Sequence, residues 1–144
     1  MSTLSVNTVK SLTSAAPVFQ NSTGTEKGQL CKAWITFDGT LVSASGTGSD
    51  TDGVLDSFNI SAIADEGTGT YTITFANNMA NANYAIVACN GRKVNASANN
   101  AFVITVNQYN HTKSVSAFRV DSLGTNTYLN LADPQDASIA VFGD

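Results

Sequence analysis

The stretch DEGTGTYTITFANNMANANYAIVACN, residues 65–90, decides the fold. It holds two apolar runs joined by an Asn-rich segment, and no charged residue follows Glu66. In a β-strand, successive side chains point to opposite faces, so residues two apart share a face. Tyr71, Ile73 and Phe75 share one face of the first run, and threonines occupy the other. We therefore predict two strands joined by a polar bend, with these three side chains buried together.

The same alternation recurs along the chain, and turn-forming residues separate the runs at the spacing of an all-β domain. The first run turns Ala33, Ile35 and Phe37 to one side. No segment shows the 3.6-residue repeat of a long helix. The predicted strands are Cys31–Phe37, Ser57–Ile63, Tyr71–Phe75, Tyr84–Asn90, Phe102–Asn107, Ser114–Val120, Thr127–Leu131 and Ser138–Phe142. We therefore predict an all-β fold, a single antiparallel β-sandwich (jelly-roll-like) of about eight strands, over residues 31–144.

Three details of these strands are specific expectations. Ser57–Ile63 is expected to turn Phe58 and the alternate residues after it inward. Tyr84–Asn90 is apolar throughout, which favours a central position in a sheet. Gly67 and Gly69 lie two residues apart in a tight connection, where glycine accepts a positive φ.

Residues 1–30 differ from the rest of the chain because Ser, Thr and Asn dominate and no helical stripe emerges. Pro17 and the glycines of residues 24–28 interrupt any regular pattern. We interpret this segment as an extended N-terminal arm for anchoring or subunit contact, and a flexible terminus is the alternative. Its scattered apolar residues are Leu4, Val6, Val9, Leu12, Val18 and Phe19.

Charged residues make up 12% of the chain, against about 25% in an ordinary soluble domain. In their place stand 15 Asn, 15 Ser and 17 Thr. Such a surface favours contact with copies of the same chain or with neutral sugars. The net charge is −4 and only Arg92 and Lys93 adjoin among the basic residues, so we expect no nucleic-acid partner. The sequence shows neither an apolar run of membrane-spanning length nor the apolar core of a signal peptide, so we expect no membrane insertion.

Candidates for catalysis or metal binding are few. The single histidine, His111, falls in a polar turn, whereas nucleophilic catalysis requires a histidine on a rigid, shielded element. The nine Asp and two Glu are dispersed in turn-like contexts. Asp50–Asp56 resembles a fragment of a calcium loop but lacks the terminal bidentate Glu. We predict no catalytic residue, no cofactor and no metal site, and therefore no enzyme, with calcium at Asp50–Asp56 left open.

The two cysteines and the single tryptophan all fall in predicted strands. Cys31 and Cys89 are interpreted as buried, reduced thiols that act as small hydrophobes. A disulfide between them requires that their strands be neighbours. Trp34 shares a strand with Ile35 and Phe37, which favours a core or interface position over a sugar-binding platform.

Two segments carry a resemblance to a known family: QLCKAWITFDGT, residues 29–40, and DSFNISAIADEGTGTYTITFANNMANANYAIVA, residues 56–88. They resemble small tail-fibre and appendage proteins of marine tailed bacteriophages, cyanophages especially. The closing ADPQDASIAVFGD, residues 132–144, and the opening VNTVKSLTSAAPVFQNSTGTEKGQ, residues 6–29, resemble the usual ending and arm of that group. Residues 43–54 form a longer loop than is usual there.

The resemblance implies a virion structural protein, a fibre or fibre-like appendage, assembled in the host bacterial cytoplasm. It implies a homo-oligomer, a trimer, that contacts other virion proteins, with a host-surface polysaccharide as a candidate ligand. The candidate glycan loops are residues 43–53, 91–101 and 121–127. A capsid decoration or fibril protein without a receptor is the alternative function, and a free carbohydrate-binding module is a third.

Overall fold

The computed structural model describes residues 19–20, 22–24, 26–28, 30–43, 53–91, 102–106, 113–125 and 129–143. The chain divides between Leu30 and Cys31, and its two parts are described separately. In the first part, β1 (Phe19–Gln20) pairs antiparallel with β2 (Glu26–Gly28). Apart from residues 22–24 and 30, the rest of the predicted arm lies outside the described residues, so its role in subunit contact stays a prediction.

The second part is built from two antiparallel sheets. Its strands are β3 (Cys31–Phe37), β4 (Val54–Phe58), β5 (Ile60–Gly67), β6 (Thr70–Phe75), β7 (Ala85–Asn90), β8 (Phe102–Val106), β9 (Ala117–Thr125), β10 (Leu129–Leu131) and β11 (Ala137–Phe142). One sheet has the order β4-β3-β11-β7, and the other has the order β10-β9-β6-β5 with β8 paired to β9. The described part of the chain contains no helix. The all-β prediction is confirmed, and the two sheets are consistent with a β-sandwich.

A single core combines the inward faces of both sheets. Phe37 of the four-stranded sheet meets Tyr71 of the five-stranded sheet edge to face, with ring centroids 5.1 Å apart. Phe75 lies 5.5 Å from Tyr84 and 5.4 Å from Phe118. Aromatic pairs in such offset geometries add stability beyond the area they bury. The prediction for Tyr71, Ile73 and Phe75 is confirmed, because all three are buried.

The chain passes from one sheet to the other at Asn59, and this corrects the predicted strand 57–63. Asn59 has a φ of 56°, which interrupts the two-residue alternation between β4 and β5. Its side-chain amide donates to Lys32 O, and its side-chain oxygen accepts from Asn77 N–H. Phe58 therefore points outward from β4, and the prediction that it is inward is wrong.

Two other strands also differ from their predictions. β7 lies at the edge of its sheet in the described structure, not at the centre. β9 extends through the first five residues of the predicted loop 121–127. The last large inward-facing apolar residue is Val120. The next inward positions hold Ser122 and Gly124, so the alternation fades although the strand continues. Gly67 and Gly69 have positive φ, as predicted.

Candidate interaction surface

The outward face of the four-stranded sheet carries an apolar row that crosses all four strands. Phe58 lies opposite Trp34, Trp34 opposite Ala140, and Ala140 opposite Val87. Paired residues in an antiparallel sheet present their side chains to the same face. Phe58 is 54% exposed and Val87 is 60% exposed, although both are large and apolar. We call the outward side of β4, β3, β11 and β7 the outer face.

Polar and apolar positions flank this row along the strand direction. On one side the register aligns the residues Asp56, Thr36, Ser138 and Cys89. On the other side lie Lys32 of β3 and the pair Phe142 and Ala85. Lys32 and Asp56 are the two charged residues among the described outward positions of these strands. Both lie on the β3–β4 half of the outer face, and the half formed by β11 and β7 is uncharged.

A trough runs over β11 because this strand presents the small side chains Ser138 and Ala140 between larger neighbours. Its volume is about 240 Å³. The Thr36 and Ser138 hydroxyls lie 3.1 Å apart and hydrogen-bond to each other, so much of their polar capacity is already used. The trough is therefore mainly apolar. Its outward-facing lining residues are Trp34, Thr36, Val87, Cys89, Ser138 and Ala140.

The outward side of the five-stranded sheet provides a comparison. There Thr72 pairs with Arg119, and Thr70 pairs with Asp121. The Thr70 hydroxyl donates to Asp121 Oδ1 at 3.0 Å. The same side also carries a short apolar row, because Leu131 and Val103, which are 45% and 46% exposed, both pair with Leu123. The five-stranded sheet thus combines polar, charged and apolar positions, whereas the apolar row of the outer face crosses every strand of its sheet. An exposed apolar patch on a folded domain marks an interaction site more often than a hydrated surface does.

Trp34 is half-buried and lines the trough, so it lies on the outward side of β3 and not in the core. The core alternative of the prediction is wrong, and the interface alternative stays a proposal. The sequence of β7 contains a pattern that reflects the outer face. β7 is apolar on both of its sides, a pattern that predicts burial on both sides, but its outward residues are exposed.

The two cysteines are free. Cys31 is half-buried and Cys89 is exposed, so the expected burial is wrong for Cys89. The two residues lie opposite Phe142 and Ser138 of β11, from its two sides. Four residues along a strand span about 13 Å, so the Cα atoms are too far apart for a disulfide within one chain.

Several candidate residues fall outside the described residues: His111, Asp50 and Asp52, and most of the loops 43–53 and 91–101. Asp56, the last carboxylate of the calcium-like segment, lies in β4 and accepts the Ser57 N–H at 2.8 Å. Within the described ranges, no group of three or more potential metal ligands occurs. No helix among the described residues is long and apolar enough to cross a membrane.

The buried polar groups of the core serve packing. The Tyr71 hydroxyl donates to Asp133 Oδ1 at 2.8 Å, and Gly69 N–H donates to the same oxygen at 2.6 Å. Burial, strengthened by the neighbouring Asp133 carboxylate, raises the pKa of Tyr71 far above its usual value. Burial alone raises the pKa of Tyr84 to about 12. Sequence reasoning did not identify Asp133 as a partner of the core.

Comparison with protein-family models, with curated proteins and with solved structures finds no match. The outer face is therefore interpreted from its own chemistry. It is apolar at its centre, nearly uncharged, and concave over one strand, and these properties suit contact with another protein surface.

Proposed function

We propose that this chain is a structural protein of a tailed bacteriophage particle, a fibre or fibre-like appendage that acts by assembling and not by catalysis. The observation that carries the proposal is the apolar row Phe58, Trp34, Ala140 and Val87 on the exposed outer face. Apolar residues at such a density suit burial by another subunit. Sparse charge elsewhere on the chain reduces the repulsion between copies.

Two of the segments that carry the resemblance lie in the four-stranded sheet. The segments 29–40 and 132–144, which resemble phage appendage proteins, contain β3 and β11. These are the two central strands of the four-stranded sheet, and their outward residues form the middle of the outer face. The segment 56–88 contains β5 and β6 of the other sheet as well, so the resemblance supports the proposal for the whole β-domain and not for the outer face alone.

The finer parts of the proposal follow from the resemblance. The sandwich is jelly-roll-like, the assembly is a homotrimer within the virion, and the arm of residues 1–30 binds sister subunits or other virion proteins. A host-surface polysaccharide is the proposed external ligand. The charge and hydropathy of the sequence add the expectation of no nucleic-acid partner and no membrane insertion.

The test is location. Mass spectrometry of purified particles from the producing phage should detect the protein at a fixed ratio to the tail proteins. Gold-labelled antibodies should decorate the tail or its appendages in electron micrographs. If intact, purified particles contain no detectable copy, the virion proposal is wrong.

The same purified particles and antibodies distinguish two alternative functions. Label over the capsid, with no binding on a glycan array, identifies a decoration or fibril protein without a receptor role. Glycan binding by a protein absent from particles identifies a free carbohydrate-binding module. The mutual hydrogen bond of Thr36 and Ser138 disfavours sugar binding at the trough, because sugars require free polar groups beside an aromatic ring.

A further inference from the structure

We propose that the outer face binds the outer face of a second copy of this chain, about a twofold axis that runs parallel to the strands between β3 and β11. The inference rests on the self-association in the proposed function and adds the surface and its symmetry. A twofold interface uses the same patch on both copies, so the patch must be complementary to itself.

The shape of the outer face meets this requirement. The proposed axis exchanges β3 with β11 and β4 with β7, so Trp34 of one copy lies over the trough at Ala140 of the other. Phe58 lies over Val87 in the same way. At the centre the large Trp34 meets the small Ala140, as close packing between sheets requires, and at the margin Phe58 meets the branched Val87. A trough of about 240 Å³ offers room for an indole ring, and the contact occurs twice.

The charges agree with the same arrangement. The rotation places Lys32 opposite Phe142, a partly exposed aromatic ring that attracts a cation. It places Asp56 opposite the uncharged Cys89. No like charges face each other, and the uncharged half formed by β11 and β7 receives the half that carries both charges.

Other ways to pair two copies fit less well. A twofold axis across the strands brings Lys32 near Asp56, but it stacks Trp34 on Trp34 and leaves the trough facing an identical trough. Pairing through the edge of β4 is hindered because Asp56 Oδ1 already accepts the Ser57 N–H. A sugar ligand is disfavoured by the few free polar groups in the trough.

The size of the outer face sets the expected affinity of one copy for the other. Four strands at about 4.8 Å spacing and six residues at about 3.4 Å rise give roughly 400 Å² per copy. A stable complex usually buries about 800 Å² per partner, so this contact alone is weak. We expect it in the micromolar range or weaker, and therefore to require protein concentrations of tens to hundreds of micromolar.

The first experiment compares Ala140→Trp with Thr72→Trp in the full chain by sedimentation velocity over that concentration range. Ala140→Trp fills the trough, and we expect it to weaken concentration-dependent association at least tenfold. Thr72→Trp adds the same bulk to the outward side of the other sheet, so we expect no change. Circular dichroism and thermal melting confirm that both variants remain folded. Equal association of Ala140→Trp and the parent chain overturns the proposal.

The second experiment tests the axis. In a Cys31→Ser background, Asp56→Cys places a new thiol opposite Cys89 of the other copy. Facing sheets lie about 10 Å apart, beyond the reach of a direct disulfide, so a short bifunctional maleimide reagent should join the two thiols into a covalent dimer, which adding Cys89→Ser abolishes. Within one chain these positions lie three strands apart, too far to bridge. Dimers that form equally without Cys89, or none at all, overturn this axis.

A third measurement identifies a competing occupant. The parent Cys89 thiol should react with a maleimide reagent quickly in dilute protein and slowly in concentrated protein. Slow reaction at every dilution shows that another part of the chain covers the outer face, and protection by oligosaccharides identifies a sugar site. Either result overturns the proposal. Absence from phage particles together with a weakened Ala140→Trp variant overturns only the virion role.

Discussion

At the scale of single residues, Asp133 joins two distant parts of the chain, its own segment and residues 69–71. Its Oδ1 accepts hydrogen bonds from the Tyr71 hydroxyl and from Gly69 N–H. The Tyr71 hydroxyl also lies 3.2 Å from Gly39 O. At Gly39, an added Cβ would contact the Tyr71 hydroxyl and lie 2.7 Å from Pro134 Cδ. The core therefore closes around this cluster only with a glycine at position 39.

We predict that Asp133→Ala lowers the free energy of unfolding by about 1–3 kcal/mol, because it leaves the Tyr71 hydroxyl and Gly69 N–H without this acceptor. Tyr71→Phe removes the hydroxyl instead. Since both changes break the same bond, the double variant should lose less than the sum of the single losses, by about 0.5 kcal/mol or more. Urea titrations of the four proteins measure this. Strict additivity means that the bond contributes nothing to stability.

We predict that stability falls as the pH rises from about 10, the usual pKa of tyrosine, toward 12. Burial raises the pKa of Tyr84 to about 12. The unfolded chain thus loses this proton at a lower pH than the folded protein does. Below pH 10 both states keep the proton and the contribution to stability is constant. Tyr71 acts in the same direction because its pKa is also raised.

Melting temperature measured between pH 8 and 12 checks this. Tyr84→Phe removes one titrating group, so the melting temperature of this variant should fall less steeply with pH. Its melting temperature at pH 8 should be lower than that of the parent, because the variant loses the hydrogen bond of 3.0 Å from the Tyr84 hydroxyl to Ser114 O. A melting temperature that stays constant from pH 9 to pH 11.5 contradicts the prediction.

At the scale of strands, Phe75 and Phe58 can be compared directly, because the alternating sequence pattern predicts that both side chains point inward. Phe75 is buried against Tyr84 and Phe118, whereas Phe58 is half exposed on the outer face. We predict that Phe75→Ala costs about 3–5 kcal/mol of unfolding free energy. Phe58→Ala should cost less than about 1 kcal/mol, as exposed substitutions do. Denaturant titration at low protein concentration measures both. Equal losses mean that Phe58 is covered within a single chain.

The strands also show how far sequence could predict this fold. The inward faces of β3 and β6 were predicted correctly, because apolar residues recur there at every second position. Lys, Trp or Thr occupies the positions between them. The end of β9 was missed because its inward residues Ser122 and Gly124 are small. The turn at Asn59 was missed because Asn accepts a positive φ without leaving a distinct signal in the pattern. Asp133 was missed because its bond to Tyr71 spans 62 residues of sequence.

At the scale of the whole molecule, the two sheets of the second part present different outward surfaces. The run in Tyr84–Asn90 could have indicated either a central strand or an edge strand with an apolar outer face. The sequence pattern shows that both faces of this strand are apolar. Only the order of strands in the sheet shows whether a face is covered by the same chain or is left for another chain to cover. The outer face was therefore present in the sequence and could be recognised only after β7 was placed at the edge.

The last prediction concerns assembly of the full chain. The apolar residues of the arm are too scattered to build a core, but Val6, Val9 and Leu12 offer regular points of contact with a neighbour. Extended backbone also presents donors and acceptors that another subunit can satisfy. Deleting residues 2–28 should therefore weaken assembly and leave the second part folded, because the core residues that the structure describes in the two sheets begin at Ala33. Threefold contact through the arm and twofold contact through the outer face are independent in this scheme. The full chain should thus form species larger than a trimer at high concentration. The Ala140→Trp variant should form a trimer and nothing larger. The protein that lacks residues 2–28 should form only a weak dimer. Light scattering with sedimentation equilibrium measures all three. If the deleted protein forms the same oligomer as the full chain, the arm takes no part in assembly.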